Sequence, residues 1–424
     1  MDTVLKGTYR ETAILDTTDE AKGQVTTIVW MVLVYGAALW WVLSWFVLFV
    51  NLCGALIQPF IQRRRLPQQP PGFCPPVSVI APIKLLDPGF ERAFGSLFGL
   101  DYPDYEILVG AAEADSPALQ AAQTIAARHE TRACRFLQSE STEAVSPKLN
   151  VLSRPLAEAR HDFILTKDSN ITFTPDTLRA LMRMVTPDIG LVVMVPVAVR
   201  AKSLAGEIEA FLINGHARLL LTASAFGQGF GVGKVMLFRR SDLAKAGGFA
   251  SISHSLAEDS ALSKGLAAIG LRTVFAPITV EQETGARGFR DIYERQSRWA
   301  IIRRKEEPAS FPLEPLSSPL PAALAAIPAA SLLGLSGGFG FGMTLLVWFV
   351  LEVLCAKIKG WEVSAWTPLA FLGREILALA AWLRAWTTHD VVWAQGRYDA
   401  RHGARAATPK TQSDGIKPKL GIKI

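Results

Sequence analysis

The sequence predicts an α/β fold, a largely parallel sheet covered by helices on both faces, framed by long apolar helices. Three observations lead there. Apolar runs of strand length at 77–83, 105–111, 163–166 and 190–197 alternate with helix-like stretches near 89–98, 117–128, 148–158 and 175–185. Strand–helix alternation is the pattern of a sheet whose strands run parallel. No residue from 23 to 62 is charged, and none from 315 to 351. The 424 residues exceed what one domain usually needs, and 50% of them are hydrophobic.

The N-terminal tail is placed at 1–25, and residues 26–60 read as a transmembrane helix. Residues 28–50 are apolar apart from Ser44, which is longer than the roughly 20 residues that cross the hydrocarbon core. A cleaved signal peptide has a shorter apolar region, and no small-residue cleavage site stands out before Arg63, Arg64 and Arg65. The α/β domain, 75–285, follows, and then a segment at 286–312 with the spacing of an interfacial amphipathic helix. Ser336, Gly337 and Gly338 break the next uncharged run, which predicts a transmembrane hairpin over 316–356. Residues 362–388 are apolar but hold Arg374, Glu375 and Arg384. Charges are expensive within a span, so an interfacial or re-entrant helix is expected there. The tail at 389–424 is basic, with seven Lys or Arg against two Asp from 397 onward. Together with the arginine triplet it suggests cytosolic flanks. The net charge of +6 therefore reads as attraction to a membrane surface, and no nucleic-acid partner is implied. Four cysteines without a CxxC pair and six scattered histidines argue against a disulfide framework and a zinc site.

Ligands of parallel sheets gather at the carboxyl ends of the strands, and this chain repeatedly puts acids there. The run at 163–166 ends in Lys167, Asp168, Ser169 and Asn170, and the run at 106–112 ends in Glu113, Ala114, Asp115 and Ser116. A third acidic element, Glu258 and Asp259, opens a helix that carries Leu262 and Leu266. Singly, each acid has an ordinary explanation as a turn former, a loop residue or a helix-start acid favoured by the dipole. Three of them in one α/β domain point to a site. Later, in GFRDIYERQSRWAIIRR at 288–304, helical spacing gathers Phe289, Ile292, Tyr293 and Trp299, with Arg295 and Arg298 beside Trp299. An arginine-rich helix lying on a bilayer has the same pattern, and the two roles are compatible.

Asp115, Asp168, Asp259 and RQSRW at 295–299 resemble the D, D, D, (Q/R)xxRW series of membrane glycosyltransferases with a GT-A, Rossmann-like fold. Further stretches are similar to the ceramide glucosyltransferase family: PIKLLDP at 82–88, LDYPDYEIL at 100–108, SPKLN at 146–150, PDTL at 175–178, AEDSALSKGL at 257–266 and WAQGRY at 393–398. The resemblance covers nearly the whole chain from the first apolar helix onward. It implies inverting transfer of a hexose from a UDP-sugar, UDP-glucose first, to the hydroxyl of a membrane lipid, ceramide first, giving a β-linked glycolipid. A hopanoid or diacylglycerol acceptor fits the same architecture. A processive polysaccharide synthase shares the acids and the tryptophan motif but needs more crossings for a polymer channel.

By the same match, Asp168 meets the diphosphate and a divalent cation, Mg²⁺ or Mn²⁺, while Asp115 meets the uridine. Lys148 adds a cation near the nucleotide. Asp259 is the general base, and Glu258 contacts the acceptor or the sugar. Arg295, Arg298 and Trp299 stand at the leaving group. His216 touches the acceptor or the sugar, or is a satisfied structural histidine. Asn170 departs from many relatives, which carry a second acid there, so the metal loses one charge. The resemblance also implies an integral membrane protein with its catalytic domain in the cytosol, in a bacterial inner membrane or in the ER or Golgi membrane of a eukaryote.

Overall fold

The structure is a computed structural model that describes residues 2–65, 68–129, 132–393 and 396–399, with side chains described from 24 to 391. Helix α1 (Asp2–Arg65) leads into the α/β domain. There the chain runs through β1 (Val77–Ile83), α2 (Phe90–Gly95), β2 (Tyr105–Ala111), α3 (Pro117–Ala126), β3 (Cys134–Gln138), α4 (Pro147–Glu158), β4 (Phe163–Lys167) and β5 (Ile171–Thr172). It continues through α5 (Thr177–Met182), β6 (Ile189–Ala201), α6 (Leu204–Ala225), β7 (Val235–Arg239), α7 (Arg240–Lys245), α8 (Gly248–Ser253), α9 (Glu258–Ala268) and β8 (Arg272–Gly285). Helices α10 (Phe289–Glu306), α11 (Pro319–Ser331), α12 (Gly337–Ile358) and α13 (Thr367–Thr387) follow, then a hairpin of β9 (Asp390–Trp393) and β10 (Gly396–Asp399). The basic tail beyond 399 lies outside the described residues, as do Ala394 and Gln395.

Eight strands form one sheet in the order β3-β2-β1-β4-β7-β6-β8-β5. Strands β3, β2, β1 and β4 are parallel, with Val79 opposite Ile107 on one side and Leu165 on the other. The sheet is mixed rather than largely parallel, because β7 runs antiparallel to both β4 and β6, and β5 antiparallel to β8. A strand buried on both faces reads the same in either direction, so its local sequence does not announce the reversal. Successive residues serve opposite cores. Val79, Ile107 and Leu165 pack with Phe94, Leu97 and Leu178 on one face. Ile80, Leu108 and Ile164 pack with Leu152, Leu156 and Leu221 on the other. Each such side chain contributes about 1.5–3 kcal/mol on burial, so a one-residue slip of register would forfeit both cores.

Two stretches, Gln24–Arg65 of α1 and Gly337–Ile358, are long and apolar enough to cross a membrane, and α11 is a shorter apolar helix. Their outward side chains are exposed and apolar: Val32, Tyr35 and Phe46 on α1, Leu346, Val350 and Leu354 on α12. Leu372, Ile376 and Leu383 of α13 are exposed as well, while its Arg374 and Glu375 turn inward and are buried. Exposed apolar surface on this scale marks contact with something other than water. Helix α6 ties this layer to the sheet, since it packs on α1 and α13 as well as on β6.

Candidate active site

A cavity of about 1040 Å³ opens where β1 and β4 end, between Ile83, Asp168 and Asn170, and reaches Leu48 of α1, Leu320 of α11 and Leu379 of α13. One end is charged and the other apolar. The charged end begins with SPKLN. Ser146 caps α4 by accepting the Leu149 N–H, and Pro147 supplies the fixed φ that starts the helix. That start aims Lys148 into the cavity. Asn150 closes the preceding loop with two 2.8 Å hydrogen bonds to the Ala144 backbone.

Asp168 leaves β4 between two ammonium groups. Lys148 Nζ lies 2.8 Å from Oδ1 and Lys234 Nζ 2.8 Å from Oδ2. Burial alone would raise the carboxyl, but the two lysines hold it down at about 2. The lysines themselves move in opposite directions. Burial opposes charge on both, yet Lys148 rises because it faces Asp168 and Glu258 together, the latter at 3.2 Å. Lys234 falls, because burial outweighs its share of Asp168 and Arg295 repels it. Its Nζ stands 5.7 Å from the centre of the Trp299 ring.

Two neighbouring acids at the start of α9 have different surroundings. Glu258 is buried, accepts the Ser146 hydroxyl at 3.1 Å and pairs with Lys148. Asp259 is half-buried and borders the cavity; its Oδ2 accepts the Gly233 N–H at 2.6 Å and its Oδ1 the Ser260 N–H at 2.9 Å. The close approach depends on glycine. A Cβ on Gly231 would stand 1.9 Å from the Asp259 carbonyl oxygen, and one on Gly233 would crowd both the Asp259 carboxylate and Lys148 Nζ.

Helix α10 carries RQSRW. Arg295 does not point free into the cavity but pairs at 3.1 Å with Glu209 of α6, which is fully buried. Arg287 reaches the other oxygen of Glu209 at 3.1 Å, and Gln296 donates to Glu209 at 3.3 Å. Glu209 thus anchors the motif helix. Arg298 and Trp299 border the cavity. Burial, with Arg295 beside it, lowers Arg298 to about 10, which leaves it cationic at neutral pH. His216 of α6 also borders the cavity. Burial, Arg303, Arg374 and Arg218 push it down to about 3, which keeps the imidazole uncharged at neutral pH. Asp115 is exposed in the turn after β2, ahead of the Ser116 cap, and is not among the cavity residues.

Lys148, Asp168, His216, Glu258, Asp259, Arg295, Arg298 and Trp299 are thus brought to one cavity, and Asp115 stands apart. Sequence reasoning missed Lys234, Glu209 and Arg287. One signal was available for the first: Gly227, Gly229, Gly231 and Gly233 alternate directly before Lys234, which is unusual at the mouth of a strand.

The sequence profile described as glycosyl transferase family 21 matches residues 43–406. The chain belongs to that family. It is a glycosyltransferase built on a mixed sheet covered by helices. It is similar to ceramide glucosyltransferase 1 of Caenorhabditis elegans, 24% identical over 354 residues, covering 81% of this chain and 75% of that protein. It is also similar to the ceramide glucosyltransferase of Komagataella phaffii, 26% identical over 231 residues, covering 49% of this chain and 45% of that protein. Among solved structures, a mannosyltransferase from Pyrobaculum calidifontis, in complex with GDP-Man and Mn²⁺, aligns with a TM-score of 0.49 and 17% identity, over 82% of this chain and 99% of that one.

Proposed function

We propose that this transferase moves a hexose, glucose first among the candidates, from a UDP-sugar to the hydroxyl of a membrane lipid, with ceramide as the favoured acceptor. One observation carries the reading: a single cavity joins Asp168, Asp259 and Trp299 to apolar side chains of α1, α11 and α13. A nucleotide sugar suits the charged end, and a lipid tail suits the end that opens between apolar helices. Likeness to two ceramide glucosyltransferases, at 24% and 26% identity, supports the acceptor class.

The acceptor oxygen attacks the anomeric carbon while the bond from that carbon to the diphosphate breaks, and the electron pair leaves on phosphate. The acceptor proton passes to Asp259. Its carboxylate is held by the Gly233 and Ser260 N–H groups, which fix its position and leave lone pairs for that proton. A single displacement turns an α-linked donor into a β-glycoside. Arg298 supplies positive charge where the leaving group gains negative charge. Asp115, exposed in the turn after β2 and outside the cavity, is proposed as a uridine contact, and His216 as a neutral contact to the acceptor.

A divalent cation fits this donor set poorly. Mg²⁺ and Mn²⁺ want several oxygen ligands. Here both Asp168 oxygens are engaged by ammonium groups and Asn170 is uncharged. Among the described residues no group of three or more His, Cys, Asp or Glu is placed to hold an ion.

We place α1 and the α11–α12 hairpin in the bilayer, with the sheet on the cytosolic side where nucleotide sugars are made. Membranes carrying the protein, incubated in turn with labelled UDP-glucose, UDP-galactose and UDP-N-acetylglucosamine, should give a β-hexosylceramide, identified by mass spectrometry of the lipid extract. A product on diacylglycerol or a hopanoid would replace the acceptor. A water-soluble polymer, or no lipid product from any donor, would sink the reading.

A further inference from the structure

We propose that Lys234, held together with Lys148 on Asp168, neutralises the leaving diphosphate in place of a divalent cation, so that nucleotide binding does not depend on metal. This rests on the nucleotide-sugar reading of the cavity.

Backbone register puts Lys234 where it is. Strand β7 runs antiparallel to β4 with Val235 opposite Lys167, and the Asp168 N–H donates to the Lys234 carbonyl at 3.0 Å. The next residue outward on each strand is therefore Lys234 beside Asp168. Lys148 is equally fixed, by the start of α4, by Glu258 and by a hydrogen bond to the Gly233 carbonyl. Two ammonium groups pinned on one carboxylate form a preorganised cationic pair. A metal ion at Asp168 would have to displace both.

The two cations are unequally matched. Lys148 has Asp168 and Glu258 within 3.2 Å or less, whereas the ion pairing of Lys234 is half of one carboxylate. Near it also stand the face of Trp299 and the positive charges of Arg295 and Lys148, and burial lowers its hold on the proton. An arriving diphosphate supplies the missing anion. Lys234 also stands between the end of β4 and the RQSRW helix, so a phosphate on it meets Arg298 from the other wall. As the bond to the anomeric carbon breaks, these cations receive the developing negative charge without any proton changing hands.

The test uses purified full-length protein in detergent and UDP itself as the probe, titrated calorimetrically in EDTA and again with excess Mg²⁺ or Mn²⁺. UDP affinity should agree within about twofold between the two conditions. Lys234→Met should weaken UDP binding by about 10- to 100-fold, the worth of a charged hydrogen bond, and Lys234→Arg should recover most of it. UDP binding that appears only with metal overturns the proposal, and so does parental affinity in Lys234→Met. The metal comparison uses the unaltered chain and decides the question even if Lys234→Met does not fold. A protein that binds no UDP in either condition would instead overturn the nucleotide-sugar reading on which this proposal stands.

Discussion

Two of the buried ionic clusters that border the cavity are built differently. On the side of the apolar helices, Glu352 of α12 pairs with Arg218 of α6 through one oxygen and with Arg374 of α13 through the other, at 2.7 Å. Arg374 pairs again with Glu375 at 2.8 Å, and Glu375 accepts the Ser318 hydroxyl and the Leu320 N–H at the start of α11. Trp348 Nε1 donates to Glu352 at 3.0 Å. Two arginines face two glutamates on three helices, α6, α12 and α13, and the start of α11 is hydrogen-bonded to them. At the sheet end two lysines also face two acids, but the matching is uneven: Lys148 holds Glu258 and one oxygen of Asp168, Lys234 pairs with the other oxygen of Asp168, and Asp259 accepts the Gly233 and Ser260 N–H groups. A closed, balanced cluster braces helices that have apolar surroundings. An uneven one keeps charge in reserve for a ligand.

The largest effect expected from breaking this contrast is on turnover. Asp259→Asn keeps the size and can still accept the Gly233 N–H, but it cannot take a proton. The general base typically contributes 10²–10⁴-fold, so kcat should fall by about that factor while UDP affinity and thermal stability stay close to the parent. Rate, UDP titration and unfolding measured on one preparation check it. Asparagine also suits a helix start, so an active variant would make Asp259 a structural residue and remove the base from this account.

The opposite cluster should answer in the opposite currency. Glu352→Ala strips both Arg218 and Arg374 of their shared partner and should cost about 3–5 kcal/mol of stability, the usual penalty for stranding buried charge. Glu352→Gln keeps hydrogen bonding and should lose less. Detergent thermal unfolding reads both, and activity per folded molecule should hardly change. A turnover defect in a variant of normal stability would show that the brace takes part in the reaction.

How much of this could be read from the chain depends on sequence distance. Strands β1 and β2 coincide with their apolar runs, and Asp168 announces itself as an acid that ends a buried strand. The α11–α12 turn follows from Ser336, Gly337 and Gly338. Lys234 does not announce itself, because pairing across 66 positions brings it to Asp168. Glu209 looks like any helical acid until α10 folds over α6 and buries it against Arg287 and Arg295. The reversal of β7 lies in topology rather than in local residue pattern. Asp115 illustrates the other limit: its place at a strand end was legible, but its position outside the cavity was not.

The smallest effect belongs to a charge that neither cluster uses. Lys167, one residue before Asp168, points to the opposite side of the strand, is 1% exposed, and donates to the Ala93 carbonyl at 2.6 Å. Burial pushes it down to about 7, although the Asp168 charge pulls the other way. In the unfolded chain a lysine stays protonated to about pH 10.4. Below pH 7 both states hold the proton and this group adds no pH dependence. From 7 upward the unfolded state binds more protons than the folded one, so stability rises with pH, by at most about 1.4 kcal/mol per unit. Cys134 works against this at higher pH, since burial raises its thiol to about 12 and the folded state then holds the extra proton. The clean window is therefore pH 7 to 8. There the parent should become more stable, and Lys167→Met, which leaves Asp168 and its two lysines in place, should be flatter. Equal slopes for the two proteins would mean that Lys167 keeps its proton when buried, with the Ala93 carbonyl and Asp168 compensating it fully.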